Sequence, residues 1–246
     1  MKKFISLSKY PGKMGKYFYT EFFKHYNIDA TYEPRTCDDL ESAIKSALND
    51  EVSGISVSMP FKRSVISLLN QRTAAVELYN SCNTIKIDKD SIKGYNADLA
   101  GVEHVTKSIL RSDRITVLGA GAIGSMFVKY LEDSHYANLN LCARNLNTWS
   151  ERYKPTDVII NCTALGTSTE ESPYKLGQIP PETRLVIDLA INNNEFAQQC
   201  QNYGIKYISG REFYRSQFLK QFEIYTGIVA DSEIYDEIES KQHESI

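Results

Sequence analysis

The chain has 246 residues, 42% of them apolar and 24% charged, with 13 glycines and 7 prolines, which is material for one large domain or two small ones around a genuine core. Its 28 basic residues against 31 acidic ones leave a net charge of −3, so bulk electrostatics gives no general attraction to nucleic acid or to an anionic membrane. No apolar run approaches the ~18 residues of a membrane span, and the opening stretch meets Lys9 before a signal-peptide core has formed, which reads as a cytoplasmic start.

Cys37, Cys82, Cys142, Cys162 and Cys200 are odd in number and scattered, with no CxxC pair. That pattern predicts reduced core thiols rather than a disulfide framework. His25, His104, His135 and His243 likewise lack metal-ligand spacing, and no bound metal is expected.

In chain order, Phe4–Leu7, Tyr17–Tyr26, Ala30–Tyr32, Asp39–Leu48 and Gly54–Ser58 read as strand, helix, strand, helix, strand. Thr36-Cys37-Asp38-Asp39 offers side-chain oxygens to the free amides of a helix starting near Asp38, with Leu40, Ile44 and Leu48 on one face. Asn83–Ile87 and Ser91–Tyr95 flank Asp88-Lys89-Asp90 as a hairpin, so this half is not a pure βαβ repeat. From about Val102 the rhythm steadies: strands at Ile115–Leu118, Leu139–Cys142, Val158–Asn161, Leu185–Leu189 and Lys206–Ile208, with helices at Ala122–Leu131, Leu146–Arg152 and Glu195–Tyr203. Strands separated by helices imply parallel pairing, and their continuous apolar runs imply a sheet covered on both faces, as in a doubly wound fold. A long helix follows from Gly210 through Tyr225, and the acid-rich stretch Asp231–Ile246 predicts a surface helix fraying into a tail.

Gly119-Ala120-Gly121-Ala122-Ile123-Gly124 leaves a strand and opens a helix, the setting in which a GxGxxG run cradles a dinucleotide pyrophosphate. Gly119 permits the tight turn, Gly121 the approach of phosphate, and Gly124 close helix packing, while amides of Ala122 and Ile123 lie at the helix start. At the end of the next strand stands Cys142-Ala143-Arg144-Asn145, without the acid that binds the ribose of NAD. That favours NADP, with Arg144 stacking on adenine and pairing with its 2′-phosphate and Asn145 beside it as a further cofactor-binding residue. A solvated strand-end arginine is the alternative account of Arg144.

Three other segments place polar residues at strand ends: Gly54 to Lys62, Ser81 to Ile85, and Gly94 to Gly101. A lysine and an aspartate there could serve the proton chemistry of carbonyl reduction. On spacing alone, a solvated Lys62 and a helix-capping Asp98 are the simpler account.

In that order, ahead of the glycine loop, the three segments resemble the shikimate dehydrogenase family patterns G-x-N-V-T-x-P-x-K, G-A-x-N-T and G-x-N-T-D-x-x-G. Asp157 to Gly166 is similar to the family's D-x-x-I-N-x-T-x-x-G, and Gly210 with Gln217 to its G-L-x-M-L-x-x-Q, so the resemblance runs from about Gly54 to Gly227. It implies an NADP-dependent oxidoreductase of aromatic amino acid biosynthesis, interconverting alcohol and ketone on shikimate/3-dehydroshikimate or a related cyclic polyol acid. Lys62 and Asp98 would be the catalytic pair, Asn83 and Gln217 ligands of ring hydroxyls, and Ser58 the stand-in for a substrate-contacting threonine. Thr163 would lie on the nicotinamide side. The expected fold is two α/β domains: a substrate domain over 1–101, completed by C-terminal helices over 218–246, and a Rossmann domain over 102–217, with the active site in the cleft between them. A small molecule is the expected partner, with no nucleic acid or membrane, and the chain is expected as monomer or homodimer.

The resemblance breaks near the N-terminus. The family's S-x-S-P-x-x-H-N pattern, whose serines grip the substrate carboxylate, is replaced by Gly12-Lys13-Met14-Gly15-Lys16-Tyr17-Phe18-Tyr19. Losing two hydrogen bonds to a charged group costs about 1.5–3 kcal/mol each. Either Lys13 or Lys16 supplies a compensating ammonium, or the substrate differs at that end. Ser56 for asparagine, Ile191 for tyrosine, and Arg211, Phe213 and Tyr214 around the last motif point the same way. A quinate- or aminoshikimate-type dehydrogenase, or a nucleotide-binding regulatory homologue without catalysis, are the competing expectations.

Overall fold

The structure, a computed structural model, describes residues 1–89, 91–166, 171–191 and 194–244, without the side chains of His243 and Glu244. Asp90 of the expected hairpin turn and residues 245–246 of the expected tail lie outside the described residues. Two compact units emerge, one of residues 1–99 with 217–246 and one of residues 100–216.

The first unit is a six-stranded sheet in the order β2-β1-β3-β5-β6-β4. Strand β1 (Lys2–Ser8) pairs in parallel with β2 (Ala30–Thr36) and with β3 (Gly54–Val57). The antiparallel hairpin of β5 (Thr84–Asp88) and β6 (Ser91–Tyr95) follows, and β4 (Gln71–Arg72) closes the edge parallel to β6. Because only β5 runs against the rest, the ends of β1, β3, β4 and β6 and the start of β5 share one edge of the sheet. Ser8 ends β1 there, and Ser58, Thr73, Asn83 and Asn96 flank the other strands.

One sheet face packs on α2 (Leu40–Asn49) through Leu40, Ile44 and Ala47, against Ile5, Leu7, Ile55 and Ile85. The helix starts one residue later than the sequence suggests: Asp39 caps it, accepting from the amides of Glu41 and Ser42. Leu48 is 39% exposed rather than on the buried face, since eight residues at 100° each leave it about 80° round the axis from Leu40. The other face carries an aromatic cluster. Phe18, Tyr19, Phe22 and Phe23 of α1 (Met14–His25) meet Phe218, Phe222 and Tyr225 of α7 (Gly210–Thr226) and Tyr235 of α8 (Ser232–Glu244).

The second unit is a five-stranded parallel sheet in the order β11-β10-β9-β7-β8. The chain runs from β7 (Ile115–Leu118) outward to β8 (Leu139–Cys142). It then crosses back to β9 (Val158–Asn161), on to β10 (Leu185–Asp188) and β11 (Lys206–Ser209), which is the expected doubly wound course. Strands β7, β9 and β10 are buried along their whole length. Helix α5 (Ala122–Asp133) follows β7, and α6 (Glu195–Asn202) precedes β11. The helix expected over Leu146–Arg152 is instead two 3-10 turns, Arg144–Leu146 and Trp149–Tyr153. Asn147 interrupts it at φ 58°, and the Thr148 hydroxyl captures Ala143 N and Leu141 O, 3.0 and 2.8 Å away.

All five cysteines are free, Cys162 half-buried and the others buried. Burial pushes the thiols of Cys82 and Cys142 up to about 11 and that of Cys200 to about 12. No helix among the described residues is long and apolar enough to cross a membrane.

Candidate active site

Lys62 lies in the loop that leaves β3, where Phe61 N donates to Ser58 O at 2.9 Å and Cys82 N to Lys62 O at 2.8 Å. These bonds pin the lysine backbone beside the approach to β5. Its Nζ donates to Asp98 Oδ2 at 2.7 Å, with the two side chains only 15% and 3% exposed. Asp98 opens α4 (Asp98–Val105), but the amide there is served by a different side chain, Asn96 Oδ1 at 3.1 Å. The lysine is therefore not a solvated surface group, and the aspartate carboxylate faces an ammonium. A buried ion pair is often no better for stability than apolar residues of the same volume, so stability alone does not account for this one.

Asn83, 3% exposed, sits just ahead of β5. Its Oδ1 accepts from Ala97 N at 2.8 Å, which ties it to the residue before Asp98. Lys62, Asp98 and Asn83 are thus brought together from positions 36 and 15 apart in sequence. Ser58 is exposed at the end of β3, held by Ser58 N donating to Leu7 O at 3.0 Å. Gln217 is half-buried on α7, its side chain without a hydrogen-bond partner among the described residues.

Sequence reasoning passed over Gln221, one helical turn after Gln217 on α7. It is buried and bonded to Tyr19, Ser56, Asn83 and Thr84. The one visible signal was a second glutamine on the same helix four residues on. At the start of α1, Lys13 is exposed and makes no side-chain cap, whereas Lys16 pairs with Glu33 at 3.0 Å on the surface.

In the second unit, Gly119 adopts φ +97°, and a Cβ there would stand 3.2 Å from Cys162 O. A Cβ on Gly124 would reach 1.9 Å from Gly119 O, so any side chain would break the loop. Gly121 differs. Its φ of −70° suits any residue, and a Cβ would meet nothing within 4 Å. No neighbour in the chain demands glycine there, whereas a ligand lying against the backbone would. Gly121 caps α5 without a side-chain bond, no acid stands in the first turn, and the opening amides around Ala122 and Ile123 are free for an anion. Arg144 and Asn145 are exposed beyond β8, with the Arg144 guanidinium 5.5 Å from the Trp149 ring centroid. The Thr163 hydroxyl donates to Asn161 Oδ1 at 2.7 Å and accepts from Leu165 N at 3.2 Å, shaping the turn after β9. These residues fit a dinucleotide. Among the described residues no group of side chains could hold a metal ion.

A protein-family model described as shikimate dehydrogenase substrate binding domain matches residues 14–85. A shikimate dehydrogenase-like protein of Haemophilus influenzae is 26% identical over 90% of this chain and 89% of its own. The shikimate dehydrogenase (NADP(+)) of Maridesulfovibrio salexigens is 28% identical over 85% of each chain. Among solved structures, shikimate 5-dehydrogenase of Thermus thermophilus in complex with NADP(H) and shikimate shares the fold, with a TM-score of 0.83 at 19% identity over 98% of this chain and 99% of that one. Profile, relatives and fold converge with the order of the motifs on one likeness, to the shikimate dehydrogenases.

Proposed function

We propose that the protein is an NADP-dependent oxidoreductase interconverting alcohol and ketone on a shikimate-like cyclic polyol acid, shikimate/3-dehydroshikimate or a relative. The observation that carries this is the sequestered Lys62–Asp98 pair, at 2.7 Å, with Asn83 tied beside it. When bound, NADP supplies or takes the hydride. Lys62 gives a proton to the carbonyl oxygen in reduction and removes it in oxidation, while Asp98 holds the ammonium in place and accepts a hydrogen bond from the reacting hydroxyl. Asn83, Ser58 and Gln217 bind ring oxygens, and Arg144 pairs with the 2′-phosphate. Residues 1–99 with 217–246 serve substrate, and residues 100–216 serve the dinucleotide, which moves Gln217 from the expected Rossmann segment 102–217 to the substrate side. The partner is a small molecule, and the near-neutral charge suits a cytoplasmic monomer or homodimer that needs neither nucleic acid nor membrane.

The replaced serines favour a substrate that differs from shikimate at its carboxylate end. With Lys16 engaged by Glu33, Lys13 is the ammonium at hand near the start of α1. A panel of cyclic keto acids, including the dehydro forms of shikimate, quinate and aminoshikimate, tests this by NADPH absorbance. Lys62→Ala should lower turnover about 10²–10⁴-fold, the worth of a general acid or base, with NADPH binding unchanged. Undiminished turnover would remove Lys62 from the mechanism, and no oxidation of NADPH across the panel would favour the regulatory alternative.

A further inference from the structure

The Asn83 side chain is tied to the protein on one side and open on the other, and the tie leads back to α7. Gln221, 5% exposed, stands at its head. Its Oε1 accepts from Tyr19 OH at 2.8 Å and Ser56 Oγ at 3.0 Å. Its Nε2 donates to the Asn83 carbonyl at 3.2 Å and to Thr84 Oγ1 at 2.7 Å. A backbone carbonyl only accepts, so the Gln221 amide has one orientation that satisfies all four partners. Thr84 owns a single hydroxyl proton. Its oxygen accepts from Gln221, and its proton goes to Asn83 Oδ1 at 2.8 Å. The Ala97 amide, which only donates, meets the same oxygen at 2.8 Å. The Ala97 amide, an obligate donor, therefore settles the Asn83 amide with Oδ1 inward, and the Thr84 hydroxyl donates to the same oxygen. Its Nδ2 has no hydrogen-bond partner among the described residues, and it is not among the unpaired atoms sealed from water.

We infer that Gln221 is a positioning residue: through Thr84 it holds Asn83 as a donor-only contact beside Lys62 and Asp98, so the site selects a ligand oxygen that accepts a hydrogen bond at that point. This rests on the reading of the site as a polyol-acid site. Tyr19 and Ser56 anchor the relay, linking α1 and the rebuilt Ser56 position to substrate recognition.

The test uses the full chain and two readouts. Gln221→Glu keeps the shape and the acceptors for Tyr19 and Ser56 but cannot donate to Thr84. Thr84→Val deletes the relaying hydroxyl at constant shape, and Thr84→Ser restores it. In nitrogen-15 labelled protein, the Gln221 side-chain amide protons should exchange slowly with water and those of Asn83 quickly. Thr84→Val should displace the Asn83 amide signal, and Thr84→Ser should return it. With 3-dehydroshikimate and NADPH, Gln221→Glu and Thr84→Val should raise the KM for the keto acid about tenfold, leave the KM for NADPH unchanged, and find rescue in Thr84→Ser. An Asn83 signal indifferent to Thr84→Val overturns the inference, as does a loss of thermal stability with both KM values untouched. Should the wild type turn over no keto acid of the panel, the proposed function falls while the amide signals still decide the relay, and should it prefer another member of the panel, the KM values are read with that one.

Discussion

Among the described residues, Arg144 has an aromatic neighbour but no ionic one. Its guanidinium contacts Trp149, 5.5 Å away, on a ring also covered by Arg152 at 4.5 Å. Arg152 spends its donors on the carbonyls of Trp149 and Pro173, whereas the Arg144 guanidinium has no hydrogen-bond partner among the described residues and remains available to an anion. Hydrogen bonds to a charged group are worth about 1.5–3 kcal/mol. Arg144→Ala is therefore expected to raise the Michaelis constant for NADPH roughly 10- to 100-fold and leave that for NADH unaltered, in steady-state kinetics with each cofactor; equal changes would defeat the 2′-phosphate assignment. Motif order made Lys62, Asp98 and Asn83 legible as candidates. Spacing alone favoured a solvated lysine, because what encloses Lys62 is the distant Asp98. The Gln221 relay was not legible at all, since two of its contacts are to a backbone carbonyl and a hydroxyl over 130 positions away.

Helices α1, α7 and α8 build the aromatic half of the first unit, and α8 buries Tyr235 and Ile238 in it where the acid-rich sequence predicts a surface helix. Phe222, fully buried, packs 5.2 Å from Phe22 in an edge-on contact and 5.4 Å from Tyr26. Truncating a large buried ring leaves a cavity that neighbouring rings fill only in part, so Phe222→Ala should cost about 3–5 kcal/mol of unfolding free energy. Urea titration with tyrosine fluorescence measures it, and a loss under about 1 kcal/mol would mean the cluster collapses into the gap. Other elements escaped notice for physical reasons. Strand β4 has two residues and α3 (Ala74–Tyr79) six, too few for a period to show, and the start of α4 coincides with a polar motif that reads as loop. The expected helix at Leu146 lost to the left-handed Asn147 and the Thr148 side chain.

At the scale of the whole molecule, resistance to acid depends on carboxylates that folding has committed. Asp157, ahead of β9, accepts from Arg114 through Nε, Nη2 and the backbone amide, each at 2.9 Å. This holds its carboxyl at about 2 against an ordinary 3.8. A value depressed by folding stabilises the protein above the unfolded value and loses that contribution as pH falls toward the folded one. Asp157→Asn should thus lower the unfolding free energy at pH 7 by about 1 kcal/mol once solvent screening of Arg114 is allowed for, and the Tm with it. Its gap from wild type should close between about pH 4 and 2, and thermal melts across that range check it. The division into two α/β halves was visible in the change of rhythm near Val102, although propensities alone could not pair residues 217–246 with the N-terminal sheet. That pairing governs biogenesis. The nucleotide-type unit is contiguous and complete once Ser216 has been made, whereas its companion needs a final segment, 217–246. On the ribosome, Phe18, Tyr19 and Phe22 stay uncovered until that segment emerges, so a stalled nascent chain displays an oily surface that chaperones must shield.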